Sequence, residues 1–176
     1  MKKRDVLLFV IILVINSALS LAQPANVTIE NNDWLRVNGE KFFPIMVWSQ
    51  PHWLATCHKN LGINTYFAKG AGSGTDQQLL DVLQSNNMYG IIIPYNGAVQ
   101  NHPTLLMWGF GDEPDNTCIP ASTLQSQYNS IKANDPLHLL VLNLGQGFYS
   151  VPGVFNNMPS CMGGSTALYS QYAAIP

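Results

Sequence analysis

The sequence predicts an α/β fold built on a parallel sheet, and two observations lead to this prediction. Short, continuously apolar segments alternate with segments whose apolar residues recur at helical spacing, which is the pattern of a parallel sheet covered by helices. In addition, the strands expected to begin at Ile63 and Ile91 lie about 30 residues apart, as do those at Leu105 and Leu137, and this is the usual length of a strand–helix–strand unit.

Each strand is predicted from an apolar or alternating segment bounded by turn residues. Asn38 and Gly39 favour a type I′ turn, so the first strands should form an amino-terminal β-hairpin. The connection over Asn96–Thr104 is short for a parallel crossover, which predicts either a single helical turn near Val99 or a trimmed connection. The expected strands are Val27–Ile29, Trp34–Val37, Lys41–Trp48, Ile63–Ala68, Tyr89–Pro94, Leu105–Gly111 and Leu137–Leu142.

Helices are expected between the strands of the parallel sheet. The segment Trp53–Leu61 is suited to a short one. Thr75 and Gln78 have the spacing of a capping box, in which two side chains satisfy the first backbone N–H groups of a helix. Ser122 and Gln125 repeat this spacing and predict the start of a later helix.

Composition excludes two classes of protein. The chain has 176 residues, of which 47% are hydrophobic and 10% charged, so it is globular rather than disordered. Its formal net charge is −2, and Lys and Arg form no cluster after Arg4. Nucleic-acid binding through a basic patch is therefore not expected.

The amino terminus has the three parts of a secretory signal. Lys2–Arg4 is basic, Val6–Ile15 is apolar, and Ser20–Ala22 offers small residues for cleavage. An uncleaved membrane anchor is the alternative, but the apolar stretch is short for a span of about 20 residues. We therefore expect a secreted or extracellular protein (periplasmic in a bacterium) that is not attached to a membrane after cleavage. The expected organisation is a signal peptide over 1–22, a β-hairpin over 23–41 and one main domain over 42–176.

Three cysteines remain in the predicted mature chain: Cys57, Cys118 and Cys161. In an oxidising compartment an odd number allows one disulfide and one free thiol, and the two late cysteines are the expected pair. His52, Cys57 and His58 are close in sequence, but adjacent side chains at 57 and 58 are poorly placed to bind one ion together. We therefore expect no metal site and no cofactor.

Acidic residues are concentrated where the strand predicted over Leu105–Gly111 ends. The chain continues there with Asp112, Glu113, Pro114 and Asp115. If the strand alternation continues, Glu113 shares a face with Met107, Gly109 and Gly111. A carboxylate at the carboxyl end of a parallel strand lies where α/β folds bind ligands. The alternative is a solvated acidic loop after a buried strand.

This stretch resembles a known group of enzymes. His102–Pro114 looks like the signature of the fourth strand in retaining glycoside hydrolases of clan A, which are (β/α)8 barrels. Leu35–Ile45 is similar to their hairpin and first strand, and Leu61–Tyr66 to their second strand. The resemblance implies a partial (β/α)8 TIM barrel with about five strands, since a complete one needs at least roughly 200 residues.

The resemblance also implies roles for individual residues. Glu113 would be the general acid/base that protonates the leaving glycosidic oxygen. Asp112 stands where many members have an asparagine that hydrogen-bonds the sugar 2-hydroxyl. Trp48, Tyr66 and Tyr95 lie at or near the ends of the first three barrel strands and are candidates for stacking on an oligo- or polysaccharide substrate; each is alternatively a core aromatic residue. Asn143, at the end of the fifth strand, is a similar candidate.

The nucleophile of such an enzyme is missing from the sequence. Retaining hydrolysis uses a second carboxylate about 5–5.5 Å from the first, and the resembling family supplies it from the seventh strand. Residues 136–176 contain no Asp or Glu. We therefore expect an amino-terminal fragment of a secreted glycoside hydrolase, with an incomplete catalytic domain over 42–176. The alternative is a non-catalytic carbohydrate-binding or interaction protein derived from the barrel.

Overall fold

The computed structural model describes residues 23–31, 34–145, 172, 174 and 175. The predicted signal peptide and Cys161 lie outside these residues. Of the cysteines that are described, Cys118 is disulfide-bonded and Cys57 is free and exposed. Among the described residues, no helix is long and apolar enough to cross a membrane.

An antiparallel sheet of three strands opens the described chain. Its strands are β1 (Val27–Glu30), β2 (Trp34–Val37) and β3 (Glu40–Lys41), paired in that order. Asn38 and Gly39 connect β2 to β3 with φ values of 52° and 86°. Both values are positive, as a type I′ turn requires, and the predicted hairpin is therefore confirmed.

A sheet of five parallel strands follows, and its spatial order is the order of the chain. Its strands are β4 (Met46–Trp48), β5 (Thr65–Phe67), β6 (Tyr89–Ile92), β7 (Leu105–Gly109) and β8 (Leu139–Val141). The connections contain α1 (Ala55–Asn60), α2 (Asp76–Ser85) and α3 (Ala121–Asn134), together with 3-10 turns at His52–Leu54 and Gly97–Val99. Parallel strands added one by one with helical crossovers are how a (β/α)8 barrel is built.

Two local predictions are wrong. The segment Lys41–Trp48 is not one strand, because β3 ends at Lys41 and β4 begins only at Met46. Pro44 lies between them and has no N–H to donate to a strand partner. The predicted capping box of Ser122 and Gln125 is also absent: α3 is preceded by Pro120, whose φ of −60° suits a helix start, and no side chain caps it.

The parallel sheet buries side chains on both faces, since Tyr66 and Phe67 are neighbours on β5 and point to opposite sides. The cluster on the helix-covered face comprises Ala55, Tyr66, Leu79, Leu80, Leu83, Met88, Ile92, Val99, Leu105 and Trp108. The cluster on the other face joins the sheet to the hairpin through Ala25, Val27, Val37, Phe67, Ile91 and Leu106. The hairpin therefore covers part of the face that the helices leave open.

Gly70 allows a close backbone approach that no other residue could make. A Cβ atom there would lie 2.4 Å from the carbonyl carbon of Gln50 and 2.7 Å from the backbone nitrogen of Pro51.

We expect Gly70→Ala to lower the free energy of unfolding by about 1–3 kcal/mol, because backbone atoms must move apart. Urea denaturation measures this. Gly111→Ala is the matched control, since a Cβ at Gly111 meets nothing within 4 Å, and equal midpoints for the two variants would refute the prediction.

Candidate active site at the strand ends

Glu113 lies in a loop and not on a strand. β7 ends at Gly109, and Glu113 is half-buried with a φ of 43°. The expectation that strand alternation extends from Met107 to Glu113 is therefore wrong beyond Gly109. The left-handed backbone at Glu113 turns the chain sharply. The direction of the Glu113 side chain is therefore set by the loop and by its hydrogen bonds.

Side chains within the loop that carries Glu113 stabilise it through hydrogen bonds. The side-chain amide of Asn116 donates a hydrogen bond to Glu113 Oε2, and its backbone N–H donates to the carbonyl of Glu113 at 2.9 Å. Asp115 is completely buried, and its Oδ1 accepts the backbone N–H of Gly145 at 2.8 Å. The loop after β7 is thus bound to the segment after β8.

Two predicted site residues are brought together at this edge. Asn143 follows β8, and its amide donates a hydrogen bond of 2.7 Å to Asp112 Oδ1. Asp112 is exposed. Its carboxylate is therefore fixed in position while it remains accessible to a ligand.

Trp48 ends β4 at the same edge of the sheet. The residue is 42% exposed, and its ring lies 4.8 Å from that of Phe67 at a tilt of 36°. Phe67 in turn lies 3.5 Å from where a Cβ on Gly109 would stand. Trp48 is therefore on the face that the helices leave open, as a stacking platform requires.

Tyr66 and Tyr95 lie on the helix-covered side instead, and this corrects their expected grouping with Trp48. Tyr66 is fully buried, and its hydroxyl lies 2.7 Å from His58 Nδ1. Burial, together with the neighbouring Cys57, raises the pKa of Tyr66 to about 12. Tyr95 packs edge-on against Trp108 with ring centroids 4.8 Å apart. A sugar cannot stack on Tyr66, which is a core residue.

Sequence reasoning missed Asn116 and the burial of Asp115. The signal was present, because a side chain three residues after Glu113 lies beside it whenever the chain makes a turn, and Pro114 and Asp115 are turn-forming residues. Asn116 supports the carboxylate directly, whereas Asp115 supports the loop.

The ends of the other described parallel strands place no second carboxylate near Glu113. The residues directly after β4, β5, β6 and β8 include no Asp or Glu. The first acid beyond β5 is Asp76, which pairs with Lys69 at 3.2 Å and accepts a hydrogen bond from Asn96. Within the described residues, no three His, Cys, Asp or Glu side chains converge to hold a metal ion.

Comparison with known proteins agrees with this architecture. The solved structure of a glycoside hydrolase family 5 mannosidase from Rhizomucor miehei is similar to the chain, with a TM-score of 0.50, and covers 68% of it at 15% sequence identity. The fold is that of a partial (β/α)8 barrel. The chain spans 56% of the length of that mannosidase. No protein-family profile matches the sequence, and neither does any curated protein.

Proposed function

We propose that the chain is part of a secreted glycoside hydrolase that cleaves β-linked glycosides with retention, and that Glu113 is its general acid/base. The observation that carries the proposal is a carboxylate at the carboxyl edge of a (β/α)8-type sheet, held by Asn116 and next to the Asp112–Asn143 pair. This edge is where barrels of this kind place their chemistry.

Each residue of the site has a chemical task. Glu113 in its protonated form donates to the glycosidic oxygen as the bond to the sugar breaks, and its carboxylate then activates water. Asp112 accepts a hydrogen bond from a sugar hydroxyl, in an orientation fixed by Asn143. The exposed face of Trp48 holds a sugar ring. Secretion is proposed from the amino-terminal pattern.

The nucleophile is the group that this sequence does not supply. We therefore expect the isolated 176-residue chain not to hydrolyse activated aryl β-glycosides when no nucleophile is added. Azide is a small anion that can attack the anomeric carbon in place of the missing carboxylate, with the aryl alcohol leaving. The expected result is slow formation of the α-glycosyl azide, which mass spectrometry and NMR identify. Hydrolysis by the isolated chain without azide would contradict the missing nucleophile.

A non-catalytic sugar-binding protein is the second candidate. The absence of a second carboxylate at the described strand ends favours it, because Trp48 and the Asp112–Asn143 pair can bind sugar without one. This candidate is supported if the chain binds oligosaccharides but forms no glycosyl azide, and if the protein that carries this sequence shows no turnover.

A further inference from the structure

A cavity lies between the first two strand–helix units, and its lining does not include Glu113. It has a volume of about 400 Å³ and is formed by the 3-10 turn after β4, the glycine-rich loop after β5 and helix α2. Ligand sites in proteins commonly have volumes of 300–1,000 Å³. The lining residues are His52, Gly72, Gly74, Gln78, Asp81 and Val82.

His52 forms part of the wall of this cavity. The backbone N–H of His52 donates to Ser73 Oγ at 3.1 Å, and Ser73 is itself buried. The wall at His52 is therefore held in place by the glycine-rich loop that contains Ser73.

Asp81 supplies a fixed carboxylate at the rim. Its Oδ1 accepts hydrogen bonds from Gln77 at 2.9 Å and from His102 Nε2 at 3.1 Å. These hydrogen bonds, with that of His102 the stronger, hold the pKa of Asp81 below its ordinary value. The backbone N–H of Thr104 donates to His102 Nδ1, so the ring proton is on Nε2 and points to Asp81. The side chain of Asp81 is 56% exposed, so the carboxylate can still receive a ligand.

An aromatic surface lies beside the same cavity. Trp53 is 60% exposed, and its indole carbons lie 3.1 and 3.4 Å from where a Cβ on Gly72 would stand. Gly72 has a φ of +76° and no side chain, which lets the indole lie over the loop that lines the cavity. Gln78 uses its amide oxygen in the capping box with Thr75, and its NH2 group can donate.

These groups define the chemistry of the ligand. The carboxylate of Asp81 repels anions and accepts hydrogen bonds, the NH2 group of Gln78 can donate one, and Trp53 offers a flat apolar face. A sugar ring provides hydroxyl groups that donate and accept, together with a face of C–H groups that stacks on indole. We propose that the cavity between His52, Trp53 and Asp81 is a second, non-catalytic carbohydrate-binding site. Binding there needs no reaction at Glu113.

NMR of the indole N–H groups tests this site separately from the strand-end site. Oligosaccharides derived from mannan, glucan and xylan are added to the isolated chain at millimolar concentration. We expect the indole resonance of Trp53 to shift with at least one of them. Asp81→Asn, which keeps the shape and removes the charge, should weaken this binding about tenfold.

The control is Trp48→Ala, which alters the strand-end site and should leave the shift of Trp53 intact. The proposal is overturned if Trp53 responds to none of the sugars, or if its response is unchanged in Asp81→Asn. If Glu113 proves not to be catalytic but the Trp53 resonance still shifts, only the proposed function is contradicted. The two outcomes are distinguishable because the cavity and the strand-end site share no residue.

Discussion

Replacing Glu113 with glutamine is expected to lower the turnover of poorly activated β-glycosides by about 10²–10⁴-fold in the protein that carries this sequence, which is the usual contribution of a general acid/base. Glutamine keeps the size of the side chain and can still contact Asn116, but it has no proton to give to the leaving oxygen. The measurement is kcat/KM for alkyl and disaccharide substrates.

The leaving group provides the internal control for this variant. An activated aryl glycoside needs little protonation as its bond breaks, so the Glu113→Gln variant should lose much less of the glycosylation rate with that substrate. Asp112→Asn changes a neighbouring residue and leaves the acid in place, so it should affect both substrate types similarly. Near-normal turnover of disaccharides by Glu113→Gln would remove Glu113 from the mechanism.

The largest loss of stability is expected for Asp135→Ala. Asp135 is buried, and its Oδ2 accepts hydrogen bonds from the indole N–H of Trp108 and from His138 Nδ1, both at 2.7 Å. Its Oδ1 accepts the backbone N–H groups of Leu137 and His138 at 3.1 and 3.2 Å. Alanine leaves these donors unsatisfied at about 1–3 kcal/mol for each buried group. We expect a loss of at least about 3 kcal/mol in urea denaturation.

The pH dependence of stability gives an independent check on Asp135. Burial favours the neutral acid, but hydrogen bonds from Trp108 and His138 outweigh burial and lower the pKa of Asp135. A depressed pKa in the folded state adds stability above the unfolded pKa of about 3.9, and this stability is lost as the pH falls through the folded value. The wild type should therefore lose more stability than Asp135→Ala on acidification below about pH 4.

Asp112→Ala is the matched control, because Asp112 is exposed and its removal should change stability by no more than about 0.5 kcal/mol. If Asp112→Ala and Asp135→Ala denature at the same urea concentration, the buried cluster around Asp135 does not stabilise the protein as argued.

The local patterns in the sequence predicted those elements that local chemistry determines. The type I′ turn at Asn38 and Gly39 and the capping box at Thr75 and Gln78 form as expected. Each depends only on residues a few positions apart. The 3-10 turn at Gly97–Val99 is one of the two outcomes that the short connection before β7 predicts.

The site could be predicted only in part, because burial on both faces of a strand hides its orientation. Nothing local distinguishes the helix-covered side of β5 from the open side, so its position at a strand end alone groups Tyr66 with Trp48. The alternation of side chains also does not predict where a strand ends. Because β7 ends before Glu113 and the chain turns there, the alternation does not predict the orientation of Glu113. The acid at 135 precedes β8, the end opposite to the candidate site, and only tertiary packing shows its contacts with Trp108.

Under the proposed function, the hydrogen bonds and the disulfide that stabilise the loop after β7 have a consequence for catalytic rate. Asn116 holds Glu113, Asp115 holds Gly145, and Cys118 is disulfide-bonded at the far end of the loop. The conformational entropy of orienting the acid is therefore lost when the chain folds and not when a substrate arrives. The acid of such a site meets each substrate with its direction already set, so little reorganisation remains between binding and proton transfer.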